Sequence, residues 1–155
     1  MQFRIRGLDP ALFSHLYGLS AAELAEHGAI RYTVDQPGSF PDRIEVRDCA
    51  PGETVLLINF THQPAATPYR ASHAIFVREG AERALDTVNT IPPAMASRII
   101  SLRAFDAHDM IVEADLAEGA ELSARIVGLL ARDDVAYIHA HYAKYGCYAA
   151  RIDRA

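Results

Sequence analysis

Apolar and polar residues alternate with the period of a β-strand through much of residues 29–105 and again through residues 110–116. Val55–Ile58 is an unbroken apolar run between turns, which is typical of a central strand that is covered on both faces. Pro and Gly residues separate these strand-like segments. The pattern predicts a sheet whose strands are joined mainly by hairpins.

Helix signals interrupt this strand pattern in two places. Near the N-terminus, Asp9 followed by Pro10 marks one helix start, and the spacing of Ser20 and Glu23 is that of a capping box. Later, apolar residues recur at helical spacing within residues 120–131. We therefore predict an α+β fold: one twisted, mainly antiparallel sheet with two short N-terminal helices and one amphipathic helix near residues 120–131.

The hydrophobic pattern also predicts the register of a hairpin between Ile99–Phe105 and Met110–Leu116. If the alternate apolar residues of both strands face one core, Arg103 lies opposite Glu113 and has a carboxylate partner. The helix that follows this hairpin is long enough to return the chain to a parallel neighbour, so the sheet can also contain one parallel pair.

The composition is typical of a folded domain with a net negative charge. The chain has 155 residues, of which 50% are hydrophobic and 23% are charged, and its formal net charge is -5. No apolar run is long enough for a membrane span, and an acidic chain lacks the basic face that nucleic acid requires. The N-terminal segment has no apolar stretch typical of a secretion signal. We expect a single globular domain over residues 1–155, located in the cytoplasm, that binds neither membrane nor nucleic acid.

Three stretches together resemble a known family: FRIRGLDP at Phe3–Pro10, YRASHAIFVRE at Tyr69–Glu79 and GCYAARIDR at Gly146–Arg154. They are similar to an uncharacterised bacterial family, domain of unknown function 1203, over essentially the whole chain. The resemblance implies one compact domain. It implies no activity, cofactor or catalytic residue, so the function has to be argued from the residues.

Polar side chains are concentrated in Asn59–His73, which has no clear periodicity and follows the buried strand. Long loops of this kind often bind ligands, and Arg70 can hold a carboxylate or phosphate through two parallel hydrogen bonds. The alternative is a loop whose polar groups satisfy its own backbone. The ligand-binding candidates in this segment and the following strand are His62, Tyr69, Arg70, His73 and Arg78.

A second group of candidates lies near the C-terminus. Tyr137, His139 and His141 alternate along a strand and therefore point to one face. A His-x-His pair can bind a metal ion if a third ligand is present, and Cys147 joins this face only if it lies opposite His141. Because no dedicated third ligand is evident, no metal site and no cofactor is predicted. His139, His141, Cys147 and Arg151 complete the ligand-binding candidates.

The segment Asn59–His73 and the terminal hairpin His139–Arg151 are both rich in histidine and net basic within an acidic protein. We therefore expect them to converge on one His- and Arg-lined pocket that binds a small anionic ligand, a carboxylate or a phosphate. One alternative is a homodimeric interaction or structural protein without catalysis, which would use exposed sheet edges and an apolar helix face. Another is an enzyme in which a histidine activates Cys147. The sequence leaves open whether the protein is an enzyme.

Overall fold

A computed structural model describes all residues from Met1 to Ala155. The strands and α-helices, in chain order, are β1 (Phe3–Arg6), α1 (Ala21–Glu26), β2 (Ile30–Thr33), β3 (Thr54–Gln63), β4 (Ala71–Arg78), β5 (Asp86–Val88), α2 (Pro93–Ala96), β6 (Ile99–Phe105), β7 (Ile111–Glu118), α3 (Leu122–Leu130), β8 (Tyr137–Tyr142) and β9 (Cys147–Arg154). Single turns of 3-10 helix occur at Pro10–Leu12, Ser14–Leu16 and Gly119–Glu121. None of the helices is both long and apolar enough to cross a membrane.

The strands form two antiparallel sheets. One has six strands in the order β5-β1-β9-β8-β6-β7, and the other has three strands in the order β2-β3-β4. The α+β class and the mainly antiparallel arrangement are confirmed, but the strands do not form one sheet, since β2, β3 and β4 form ladders only with one another. No parallel strand pair forms across α3, because β6 lies between β7 and β8 and pairs antiparallel with both.

Local helix signals are largely confirmed. The capping box is complete, because the Ser20 hydroxyl accepts from the Glu23 amide and the Glu23 carboxylate accepts from the Ser20 amide. The helix expected after Asp9 is instead a pair of 3-10 turns, the first of which is capped by the Asp9 carboxylate. The amphipathic helix is α3, and its buried residues are Leu122, Ile126, Leu129 and Leu130.

The predicted register of the β6–β7 hairpin was wrong by one residue. Arg103 lies opposite Ala114, and Ala104 lies opposite Glu113. Glu113 instead forms a salt bridge with Arg132 beyond the end of α3, with N and O 3.0 Å apart. Because β7 is an edge strand, its acidic side chains can reach such partners, and Leu116 is left 60% exposed.

Two faces of the six-stranded sheet bury different partners. One face packs with α3 in a core that includes Ile138 and Ala140 of β8. The opposite face contacts the three-stranded sheet, where Tyr148 of β9 belongs to the same cluster as Leu56 of β3. Side chains alternate along β8, so its histidines lie on the face that β3 covers.

Candidate functional site

Three histidines lie close together between β3 and β8. His62 comes from β3, whereas His139 and His141 come from β8. One ring nitrogen of each lies within 4.8 Å of those of the other two. His62 thus belongs to the first candidate segment and the other two to the second, so the two segments meet at these histidines; an anion-binding pocket at this place stays a prediction. The first segment is nevertheless mainly strand, since β3 extends to Gln63 and β4 begins at Ala71.

The register of β8 and β9 determines which side chain joins the histidines. A β-bulge follows the Ala140–Ala150 pair, so His141 lies opposite Tyr148 and not opposite Cys147. The Tyr148 ring stacks on His62, with ring centroids 5.5 Å apart and planes 10° apart. Cys147 lies opposite Tyr142 and its Sγ accepts from Arg43 on the other side of the ladder. The third side chain beside His139 and His141 is His62 of β3, a residue that the sequence analysis did not consider as a partner of this pair.

The imidazole groups have nitrogen atoms with no protein partner. His62 Nδ1, His139 Nδ1 and His141 Nε2 are all buried and form no hydrogen bond. His141 Nδ1 lies 2.9 Å from the Gly146 carbonyl oxygen, which can only accept. Nδ1 of His141 must therefore carry the proton, which leaves a lone pair on its buried Nε2. A carbonyl that holds a histidine tautomer in this way is the usual support of a metal-binding histidine.

Burial keeps these histidines neutral. It lowers the pKa of His62 to about 4 and the pKa values of His139 and His141 to about 3. The positive charge of Arg103 contributes to each of these shifts. Neutral imidazole is the form that coordinates metal ions, so the site is in its binding form throughout the neutral pH range.

The spacing of the nitrogens is somewhat wider than in a zinc complex. Zinc–nitrogen bonds of ~2.1 Å in tetrahedral geometry place the ligand nitrogens ~3.4 Å apart. Nitrogens up to 4.8 Å apart therefore have to move inward by about 1 Å, which a rotation of the imidazole rings can supply. The ligand set contains no carboxylate, so it favours ions such as Zn²⁺ over Mg²⁺ or Ca²⁺.

Arg103 is the nearest cation without an anionic partner. It lies directly opposite His139 in the β6–β8 ladder, so its side chain leaves the sheet on the same face. The side chain is half-buried and forms neither a salt bridge nor a hydrogen bond with the protein, and burial lowers its pKa. The sequence does not predict Arg103 as a ligand-binding residue, because the expected register paired it with Glu113.

Arg151 lies on the other side of His139, opposite it in the β8–β9 ladder. Its guanidinium bonds the Asp153 carboxylate at 3.0 Å and lies 3.9 Å from the centroid of the Tyr137 ring. Arg151 and Asp153 can pair because residues two apart in a strand share a face. Arg151 therefore lies beside His139 with its charge already neutralised by Asp153.

The other candidates from the first segment lie at the edge of the site or away from it. Tyr69 is 39% exposed and packs edge-on against Phe105, which in turn contacts the His139 ring. Arg70 is exposed and donates to the Pro64 carbonyl oxygen at 3.0 Å. His73 is half-buried and its Nδ1 bonds the adjacent Ala74 carbonyl oxygen at 2.9 Å. Its positive charge lowers the pKa values of His62 and His141.

Two predicted ligand residues lie elsewhere. Arg78 donates two hydrogen bonds, at 2.8 and 2.9 Å, to the carboxylate of Glu45. Glu45 comes from a distant part of the chain, so local sequence does not indicate this partner of Arg78. Cys147 is separated from the histidines by the β-bulge described above, so the pairing of a histidine base with the Cys147 thiol has no geometric support.

Comparison with known proteins identifies the family of this chain. Neither the curated proteins nor the solved structures include a match. A family model described as a protein of unknown function, DUF1203, matches residues 39–154, which contain all three histidines and both arginines beside His139. Of the three stretches that carry the resemblance, only Phe3–Pro10 lies outside this match. The chain therefore belongs to the DUF1203 family.

Proposed function

We propose that this protein binds a transition-metal ion of the zinc class on His62, His139 and His141, and that the metal together with Arg103 binds a small carboxylate or phosphate. The observation that carries the proposal is the cluster of three imidazoles, each of which has one buried nitrogen without a protein partner. Buried polar atoms in folded proteins nearly always have a partner, so an unpartnered nitrogen on each of three adjacent rings favours a bound ligand.

The number of protein ligands indicates the kind of site. Structural zinc sites are closed by four protein ligands, whereas catalytic zinc sites have three and leave a position for water or substrate. The side chains around the histidines include Phe105, Tyr137, Tyr148 and Arg103, none of which is a usual zinc ligand. The proposed metal therefore has an open position beside a cation.

Arg103 determines the charge of the ligand that fits this position. A half-buried guanidinium without a carboxylate is favourable only if an anion or water compensates it. A carboxylate or phosphate can coordinate the metal with one oxygen and accept from the guanidinium with another. This retains the anionic ligand expected from the sequence, with Arg103 in place of Arg70, Arg78 and Arg151.

Metal titration tests the first part of the proposal. We expect the wild-type protein to bind one Co²⁺, followed by visible absorption, and to release it to Zn²⁺. His62→Ala and His141→Ala should weaken Co²⁺ binding by more than the 10–100-fold typical of outer-shell changes. His108→Ala is the matched control, because His108 is exposed in the β6–β7 turn. Equal Co²⁺ affinity in all four proteins, or no Co²⁺ binding by the wild type, would contradict the proposal.

Anion titration tests the second part. Inorganic phosphate or acetate should change the Co²⁺ absorption of the wild-type protein and leave that of Arg103→Met unchanged. The Arg103→Met protein should still bind Co²⁺ with wild-type affinity. An unchanged spectrum in the wild type would show that the site binds metal without an anion.

A further inference from the structure

A cavity that none of the three histidines lines contains residues from the other side of the β8–β9 ladder. It has a volume of about 750 Å³ and is formed by residues near Gly38–Arg43, the start of β6 and the β8–β9 turn. Cavities of roughly 300–1,000 Å³ are typical of small-molecule sites. Tyr142 and Cys147, which lie opposite each other in the ladder, both line it.

The charges around this cavity are all positive. Arg43, Arg98 and Lys144 line it, and no Asp or Glu does, although the protein as a whole has a formal net charge of -5. Arg98 is neutralised by Asp48, with N and O 2.6 Å apart. Arg43 and Lys144 form no ion pair, although the buried Asp42 carboxylate acts on Arg43 from outside the lining. The lining itself therefore carries net positive charge, which favours an anion.

Arg43 is the buried member of this group, with 1% of the residue exposed. Its Nε donates to the Tyr148 carbonyl oxygen at 2.8 Å and its Nη2 to Cys147 Sγ at 3.0 Å, while Nη1 donates to the Pro41 carbonyl oxygen. These partners are neutral and leave some of the guanidinium N–H groups unused. A buried cation with neutral partners gains free energy if an anion reaches it.

Tyr142 supplies an independent sign of a ligand. Its hydroxyl is buried and has no hydrogen-bond partner, and 3% of the residue is exposed. Two cations lie close to the ring, with the guanidinium carbons of Arg43 and Arg98 4.9 and 5.2 Å from its centroid. A ligand oxygen near Arg43 would also give the Tyr142 hydroxyl a partner.

The mouth of the cavity is apolar. Ile99, Leu116 and Tyr145 line it and are 51%, 60% and 76% exposed. Exposed apolar side chains grouped around a cavity favour an apolar ligand group, because each contact removes apolar surface from water.

We propose that this cavity binds a small molecule with an apolar, ring-sized body and one carboxylate or phosphate group. The acidic group lies toward Arg43, Lys144 and the Tyr142 hydroxyl, and the body contacts Leu116 and its neighbours. This site is independent of the three histidines and of any metal bound there.

Calorimetric titration with naphthalene-2-carboxylate, its uncharged amide and phenyl phosphate tests the proposal. We expect the carboxylate or phenyl phosphate to bind at least tenfold more tightly than the amide. Lys144→Met should weaken binding of the acid severalfold, and Leu116→Ser should weaken binding of both acid and amide. Both positions are exposed, so these variants should fold.

Tyr142→Phe distinguishes a ligand contact from a structural role. The hydroxyl has no partner, so its removal should leave the unfolding midpoint unchanged or higher while binding of the acid weakens. His62→Ala should bind the acid as the wild type does, which separates this site from the proposed metal site. The proposal is wrong if neither acid binds at millimolar concentration, if acid and amide bind equally, or if Lys144→Met and Leu116→Ser leave the affinities unchanged.

Discussion

Arg103 lies directly opposite His139 across the β6–β8 ladder, and no carboxylate of the protein forms an ion pair with it. The arginine therefore contributes a cation to the three-histidine site at a cost in desolvation that no protein partner offsets.

We expect Arg103→Met to leave the free energy of unfolding unchanged or to raise it, because methionine fills part of the same space without a charge. Urea unfolding of the metal-free protein measures this. Arg83→Met serves as the control, since Arg83 is exposed and has no partner. A loss of more than about 1 kcal/mol for Arg103→Met alone would show that the arginine has a stabilising protein contact.

Tyr137 links the edge of the site to the β6–β7 turn. Its hydroxyl accepts from Gln63 Nε2 at 2.8 Å and donates to the Asp109 carboxylate at 2.6 Å. Tyr137→Phe should reduce the free energy of unfolding by about 1–3 kcal/mol, because it leaves the amide of buried Gln63 without an acceptor. Thermal unfolding measures the loss, and Tyr145→Phe, at a residue that is 76% exposed, should show none.

Substitution by alanine should have opposite effects on stability at Gly7 and at Gly128. A Cβ atom on Gly7 would lie 1.9 Å from the Ile44 carbonyl oxygen, whereas one on Gly128 meets nothing within 4 Å. Gly7→Ala should cost more than about 2 kcal/mol, since backbone has to move. Gly128→Ala should add about 0.5–1 kcal/mol because it lies inside α3. Chemical denaturation of both variants checks the pair, and the reverse order of stabilities would contradict the structure.

The hydrogen bonds of the Glu79 carboxylate should make the free energy of unfolding depend on pH. The carboxylate accepts from Arg31, the Gly18 amide and the Thr54 hydroxyl, and the hydrogen bonds from Arg31 make the largest contribution to lowering its pKa to about 2. A carboxyl group with a lowered folded-state pKa stabilises the fold fully above its unfolded pKa of about 4.5, and this stabilisation is lost as the pH falls toward 2.

Glu79→Gln should therefore destabilise the protein near pH 6 by about 1 kcal/mol, and the difference from wild type should shrink as the pH falls from 5 to 2. Urea unfolding at several pH values measures this difference. Glu82→Gln, at an exposed residue without a partner, should show no such trend. A difference that grows on acidification would contradict the proposed role of the Glu79 carboxylate.

Features that depend on near neighbours in the chain are predictable from the sequence. The capping box of Ser20 and Glu23, the amphipathic helix α3 and the shared face of His139 and His141 all follow from local spacing. Each involves residues within a few positions, so one helical turn or one strand repeat determines the geometry. The meeting of the two histidine-rich segments was also predictable, because their composition differs from that of the rest of the chain.

Register and distant partners were decided only by the tertiary structure. A single bulge in β8–β9 replaces Cys147 by Tyr148 opposite His141, and a shift of one residue in β6–β7 leaves Arg103 without Glu113. Alternation is the same in every register, so the sequence pattern does not distinguish them. The sequence by itself determined that His139 and His141 point to the same face of their strand. Only the packing of one sheet on the other brought His62 next to them, because contacts between sheets depend on the whole fold.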